Sequence, residues 1–189
     1  MPFADKFFLI ILMLAEGAHL MGRSFLLRSL KLLWGFGIAG IAAFSFYFAW
    51  LQYAGWKAHP LSRFLLPPYR PLLYFFSYVG WRVFAPWLFA FCAAVVAARI
   101  ADYANRRCGG RFFEPGETRL FGFGVFMTGY PGFLLYVVCM LAAGFLLSFL
   151  YILRKKGRAP FFSLWLPVAI FAILLKNALP PSLLNIFIL

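Results

Sequence analysis

Four long stretches of the sequence carry no charged residue, and they constrain the fold of this 189-residue chain more than any other feature. They are residues 33–56, 83–98, 132–153 and 160–175. A helix needs about 20 mostly apolar residues to cross a bilayer, and each stretch approaches or exceeds that length. Apolar residues make up 65% of the chain and charged residues 12%, against about 45–50% and about 25% in soluble proteins. The sequence therefore predicts a polytopic membrane protein and excludes a soluble enzyme, a disordered chain and a disulfide-stapled secreted domain.

Two apolar regions are too long for a single crossing, and each contains residues that favour a turn. Residues 64–104 contain Gly-Trp-Arg at 80–82, and residues 120–153 contain Thr-Gly-Tyr-Pro-Gly at 128–132. Glycine and proline interrupt helices, and tryptophan is common at membrane interfaces. We predict that both regions are helical hairpins. The predicted fold is an all-α integral membrane protein with about six transmembrane helices.

Basic residues are concentrated between these predicted helices. With both hairpins in place, segments 57–63, 99–119 and 154–158 fall on one side of the membrane and hold most of the 18 lysines and arginines. The positive-inside rule assigns such segments to the cytoplasm, so we expect short basic cytoplasmic loops. Three bases between 23 and 31 fall on the opposite side. An interfacial helix at 24–31, with its bases on one face, would account for them.

The first 31 residues differ from the rest of the chain. Residues 7–22 are apolar enough to insert into a membrane but contain Glu16 and His19, and a charge at the centre of a membrane helix costs about 2.5–3.5 kcal/mol. Because the two residues lie three apart on one helical face, we expect them to pair with each other rather than to act in catalysis. The sequence thus predicts an N-terminal membrane or interfacial segment at 1–31 and a polytopic helical membrane domain at 32–189.

Charge and cysteine content narrow the classes of function. A net charge of +13 would indicate nucleic-acid binding in a soluble protein, but here the bases flank apolar segments and are expected to meet lipid headgroups. The three cysteines, Cys92, Cys108 and Cys139, have no paired spacing, and no cluster of His or Cys has the spacing of metal ligands. We expect no cofactor, no metal and no nucleic acid, and we expect membrane lipids as partners.

The polar segment at 109–120 holds the acid best placed for a functional role. Its sequence is Gly-Gly-Arg-Phe-Phe-Glu-Pro-Gly-Glu-Thr-Arg-Leu, and Glu117 stands beside Arg119 where the loop is predicted to enter a helix at the membrane face. A carboxylate there can cap the first turn and interact favourably with the positive end of the helix. Capping by itself would account for Glu117.

The order of features from 109 to 167 resembles the type IV prepilin peptidase family, intramembrane aspartic proteases of bacterial inner membranes. Gly-Glu-Thr-Arg-Leu at 116–120 stands where the family has Gly-Asp-x-Lys-Leu, and Gly129 lies near the turn of the following hairpin, as glycines do in the family. Bases at 154–158 and Pro-Phe-Phe at 160–162, which opens the last helix, follow in the same order as in the family.

The resemblance implies that Glu117 occupies the place of the family's second catalytic aspartate. Aspartic proteolysis needs two carboxyl groups that share a proton, one to activate water and the other to polarise the peptide carbonyl. The first aspartate would fall near 52–56, where the sequence has no carboxylate. Asp102 is the nearest other acid by position, and the alternative account of Asp102 is ion pairing with the arginines around it.

Two functions therefore stand side by side. On the resemblance, we expect a prepilin-peptidase-like protein of the bacterial inner membrane, part of a pilus, secretion or conjugation system. If it is active, it cleaves the leader peptides of prepilin-type membrane substrates, with Glu117 and Asp102 as the catalytic residues. The alternative is a catalytically inactive small subunit that scaffolds or anchors a larger membrane complex. A transporter or lipid-handling protein is disfavoured because so few polar residues lie within the apolar segments.

Overall fold

A computed structural model of the chain describes residues 2–110, 113–154 and 161–180, which form helices joined by loops and contain no β-strand. The helices are α1 (Pro2–Leu20), α2 (Arg23–Ala58), α3 (Leu72–Val79), α4 (Ala85–Arg107), α5 (Glu117–Thr128), α6 (Gly132–Leu153) and α7 (Trp165–Ala178). Two short 3-10 turns, Ser62–Leu65 and Phe161–Ser163, lie between them. The predicted all-α fold is confirmed.

Four helices among the described residues are long and apolar enough to cross a membrane. They are α2, the continuous helix Leu72–Arg107 that contains α3 and α4, α6, and the helix Phe161–Ala178. Most of their side chains point outward, and many of the exposed ones are large and apolar, such as Phe36, Leu141 and Phe145. Such a surface is unsuited to water and suits hydrocarbon. The structure thus supports a membrane protein with four candidate spans, and the prediction of about six spans is not confirmed.

The first predicted hairpin is wrong, because the chain does not reverse at 80–82. It continues from α3 into α4 through a single π-helical turn, Gly80–Phe84. Gly80 has an ordinary helical φ of −54°. The widened turn ends two residues before Pro86, which has no N–H to donate and whose ring would collide with the carbonyl four residues back in a regular α-helix. The π turn accommodates this proline, so a Gly-Trp-Arg sequence that resembles an interfacial turn lies within a helix.

The second predicted break is confirmed, since α5 ends at Thr128 and α6 begins at Gly132. Between them Gly129 has φ 62° and ψ 173°, a backbone conformation that is essentially restricted to glycine. With 12 residues, α5 is about 18 Å long and too short to cross a hydrocarbon core of about 30 Å. It is instead the buried centre of the bundle, enclosed by α1, α4, α6 and α7.

Ion pairs between helix termini identify two ends of the bundle. At one end, Arg23 at the start of α2 pairs with Glu114, just before α5. At the other end, Asp5 near the start of α1 pairs with Lys176 near the end of α7. We call these the Glu117 end and the Lys176 end.

The structure does not place all the basic segments on one side of the membrane, as the sequence predicted. Segment 57–63 begins within the last turn of α2, whereas Glu114 and Pro115 contact its first residue, Arg23. Most of the 36-residue length of α2, about 54 Å in all, therefore separates them. Bases 23–31 now share the Glu117 end with the end of α4. Residues 24–31 do not form a separate helix, because α2 runs through them and on past residue 32. The division into segments 1–31 and 32–189 stays a prediction. Arg111, the bases at 155–158, Pro160 and residues 181–189 lie outside the described residues.

Thiol labelling distinguishes this arrangement from the one with a hairpin at 80–82. The Glu117 end holds more of the described bases than the Lys176 end, so we expect it to face the cytoplasm. With Cys92 and Cys139 replaced by alanine, Cys108, exposed after the end of α4, should react with an impermeant maleimide only from the cytoplasmic face of sealed vesicles. Leu61→Cys in the chain lacking the three natural cysteines should react only from the other face. Labelling of both positions from one face would contradict the structure.

Candidate functional site

Glu117 is the first residue of α5 and only 1% exposed. Gly116 before it adopts a left-handed φ of 93°, which turns the incoming loop into the helix at a position where a side chain would be strained. The N–H of Glu114 donates a hydrogen bond of 2.8 Å to Oε2 of Glu117. The carboxylate therefore closes the loop that precedes the helix, and the expected capping of the first helical turn takes this different form.

Burial raises the pKa of the Glu117 carboxyl above its ordinary value, because the charged form is poorly solvated, and the negative charge of Glu114 acts in the same direction. Three groups oppose this shift in pKa: the N–H of Glu114, the indole of Trp165 and the guanidinium of Arg23. The indole N–H of Trp165 is buried and has no hydrogen-bond partner among the described residues, so it acts on Glu117 from beyond ordinary hydrogen-bond distance. Glu117 thus retains its proton to a higher pH than an exposed glutamate.

Glu114 is the second carboxyl group of this site. Its Oε2 pairs with the guanidinium of Arg23, which also donates a 2.7 Å hydrogen bond to the carbonyl of Pro115. The side chains of Arg23 and Glu114 are 39% and 41% exposed, in contrast to the enclosed Glu117. The two acids therefore have different surroundings, one buried and one ion-paired at the surface, which is the asymmetry that separates the roles of two carboxyl groups in acid catalysis.

Asp102 is not among the groups that shift the pKa of Glu117. It is half-buried on α4, and the structure forms no ion pair between it and any described residue, so the expected pairing with nearby arginines is not observed. The residue through which α4 reaches the site is Asn105. Its side-chain amide both donates to the carbonyl and accepts from the N–H of Phe113, each at 2.9 Å, and so fixes the start of the loop. Asp102 as a catalytic residue stays a prediction.

The expected pair of Glu16 and His19 on α1 is not formed either. Oε2 of Glu16 and Nδ1 of His19 are buried without a hydrogen-bond partner in the part of the chain that the structure describes. The imidazole packs instead on Phe162, with ring centres 5.2 Å apart, and the guanidinium of Arg23 lies 4.5 Å from the centre of the same phenyl ring. Through Phe162, these two contacts connect α1 to Arg23.

An apolar groove of about 350 Å³ opens beside the site. Phe113, Phe121 and Trp165 form one wall, and α6 forms the other, where Gly144 and Ser148 leave room. Trp165 thus borders both the groove and the Glu117 carboxylate. Among the described residues, no group of three or more His, Cys, Asp or Glu side chains is arranged to hold a metal ion. This arrangement can support acid–base chemistry by carboxyl groups that lie next to an apolar groove.

Sequence reasoning identified Glu117 but missed Arg23, Glu114, Asn105 and Trp165 as its surroundings. Glu114 stood in the polar segment that was singled out, and its spacing of three from Glu117 was the available signal. The other three residues come from α2, α4 and α7, and nothing local to the loop indicated them. Comparisons of the chain with protein-family models, with curated proteins and with solved structures give no match.

Proposed function

We propose that this chain is a prepilin-peptidase-like protein of a bacterial inner membrane that acts in a pilus, secretion or conjugation system. Two things support the proposal: the order of motifs from 109 to 167, and one structural observation. Glu117, at the position of a family acid, is enclosed at the start of a short central helix, where burial raises the pKa of its carboxyl. A carboxyl group that keeps its proton is what an acid catalyst requires.

In the catalytic form of this proposal, Glu117 and Glu114 are the acid pair. Glu117 holds the proton and polarises the carbonyl of the scissile peptide, while ionised Glu114 accepts a proton from the attacking water and passes it to the leaving amine as the C–N bond breaks. Arg23 releases Glu114 when substrate enters. The apolar groove beside Trp165 receives the hydrophobic segment of a membrane-inserted leader peptide. Asp102 is the other candidate for the second acid.

The alternative, a catalytically inactive subunit that scaffolds or anchors a larger membrane complex, is favoured by a different observation. The Glu117 carboxylate is almost wholly enclosed and already accepts the N–H of Glu114, so water has no open face to approach. In this role Glu117 keeps the 113–117 loop closed onto α5.

Leader cleavage by Glu117 variants tests the proposal. The tagged full-length chain is co-expressed with a membrane-inserted reporter that carries a prepilin-type leader, and loss of the leader is followed by immunoblot. We expect cleavage by the wild type and a rate about 100-fold or more lower for Glu117→Gln, since the amide keeps an acceptor for the Glu114 N–H but cannot serve as an acid. Glu117→Asp, which restores the family's residue, should recover part of the rate.

Two further variants, Glu114→Gln and Asp102→Asn, identify the second acid. Loss of cleavage in the first and not in the second supports the pair Glu117 and Glu114, and the reverse assigns the second acid to Asp102. Cleavage that is unchanged in Glu117→Gln contradicts a carboxyl peptidase. A wild type that leaves the leader intact but co-purifies in mild detergent with a larger assembly supports the inactive subunit instead.

A further inference from the structure

A second groove, between α2 and α4 at the Glu117 end, takes no part in the function proposed above. It has a volume of about 430 Å³. Three bases from three helices line it: Lys31 of α2, Arg99 of α4 and Arg119 of α5. The rest of the lining is apolar and includes Trp34 and Ala98. The groove thus combines a cationic rim with an apolar floor.

None of the three bases is neutralised by an ion pair in the part of the chain that the structure describes. All three are exposed, and none forms an ion pair among the described residues, in which Asp5 pairs with Lys176 and Glu114 with Arg23. Like charges that converge on one concave surface repel each other and create a positive potential that attracts a counter-ion. The charge of the groove therefore favours an anionic ligand.

The position of the bases along their helices places the groove at the level of lipid headgroups. Residues 32–56, which follow Lys31, carry no charge and extend for about 37 Å of helix, enough to cross the hydrocarbon core. Arg99 ends the uncharged stretch 83–98 in the same way. Trp34 lies one turn deeper than Lys31, where indole rings of the interfacial belt are found.

The floor of the groove is apolar, so it can contact an acyl chain but offers no polar group to a free anion. A Cβ added at Gly122 of α5 would lie 3.0 Å from Cβ of Ala98 and 3.1 Å from the carbonyl oxygen of Ala94. Helix α5 thus approaches α4 closely at Gly122, and the lining residues there, Ala94 and Ala98, are small and apolar. Trp34 is fixed as one wall because its indole stacks on Phe126, with ring centres 5.0 Å apart and planes 7° apart.

We propose that this groove binds an anionic phospholipid, with the headgroup phosphate held by Lys31, Arg99 and Arg119 and an acyl chain lying on the apolar floor. Basic pockets between membrane helices on the cytoplasmic side recognise anionic headgroups in this way. Neither Glu117 nor Glu114 lines this groove, so the lipid-binding test and the leader-cleavage test can fail independently.

The test is lipid binding by the purified full-length protein in mild detergent, measured by native mass spectrometry during titration with phosphatidylglycerol or phosphatidylcholine of the same acyl chains. We expect phosphatidylglycerol to bind the wild type roughly tenfold more tightly than phosphatidylcholine. The triple variant Lys31→Gln, Arg99→Gln and Arg119→Gln should bind both lipids equally. Arg119→Gln alone, which changes only the rim, should reduce the preference several-fold and serves if the triple variant does not fold.

The matched control removes the same charge at and beyond the last turn of α2, far from the groove, through Lys57→Gln, Arg63→Gln and Arg70→Gln, and should keep the full preference. Equal loss of preference in the control would overturn the proposal, because the attraction would then be to net charge and not to the groove. A triple variant that folds and keeps the preference would overturn it too. Inorganic phosphate at millimolar concentration should leave phosphatidylglycerol bound, and displacement by phosphate would assign the groove to a soluble anion.

Discussion

Replacing Lys176 with methionine will destabilise the protein by about 3–5 kcal/mol, because the change leaves a buried carboxylate without its partner. Nζ of Lys176 lies 2.5 Å from Oδ1 of Asp5, and the two side chains are only 12% and 8% exposed. This pair joins the first and the last described helices at the Lys176 end. The loss should appear as a lower free energy of unfolding in mild detergent, measured by titration with a denaturing detergent.

A double variant distinguishes the effect of losing the ion pair from the effect of changing the side-chain volume. Asp5→Leu combined with Lys176→Met removes both charges and should recover most of the lost stability, since replacing a whole buried pair with apolar residues is often neutral. Lys6→Gln is the control, because Lys6 is exposed beside Asp5 and should change stability by less than about 0.5 kcal/mol. A double variant as unstable as Lys176→Met would contradict a role for the ion pair.

This pair illustrates what the sequence does not reveal. Asp5 and Lys176 lie 171 positions apart, each at the edge of an apolar segment. The membrane class and the apolar helices were predictable, because length and absence of charge are local properties: the stretch 132–153 became α6 residue for residue, and the stretch 33–56 lies within the longer α2. Contacts between helix termini depend on how the helices pack, and no local sequence pattern predicts them.

The two predicted hairpins had different outcomes for a physical reason. At 128–132, Gly129 takes a conformation open to glycine alone, and the helix ends there. At 80–82 the glycine is helical, and the proline that follows is accommodated by a π turn. A glycine beside a tryptophan and an arginine therefore does not decide between a turn and a continuous helix. Because one helix replaces the hairpin, segment 57–63 moves to the opposite end of the bundle.

Of the residues in the candidate site, the sequence predicted only Glu117. The polar segment between apolar stretches identified Glu117, since an acid at the start of a helix is rare enough in this chain to be noticed. Its surroundings come from far along the chain, as with Arg23, which pairs with Glu114 over 91 positions. The burial of Glu117 follows from the enclosure of α5 by neighbouring helices. The direction of its pKa shift therefore could not be predicted from the sequence either.

Replacing Gly124 with alanine will destabilise the protein by about 1–3 kcal/mol, because the new methyl group overpacks the contact between α5 and α6. A Cβ at Gly124 would lie 2.4 Å from Oη and 2.5 Å from Cζ of Tyr136. Tyr136 is fully enclosed and donates a 3.3 Å hydrogen bond to the carbonyl of Trp165. The ring therefore cannot move aside without disturbing the residue that borders Glu117.

The same substitution at Gly35 is the matched control. Gly35 is exposed within α2, and a Cβ there would meet nothing within 4 Å, so alanine should stabilise the helix by up to about 1 kcal/mol through its higher helix propensity. Thermal unfolding of both variants in the same detergent measures the contrast. Because helix propensity alone favours alanine at both positions, opposite signs would show that Gly124 is required for the close approach of α5 to α6, and equal stabilisation would show that Tyr136 has room to move.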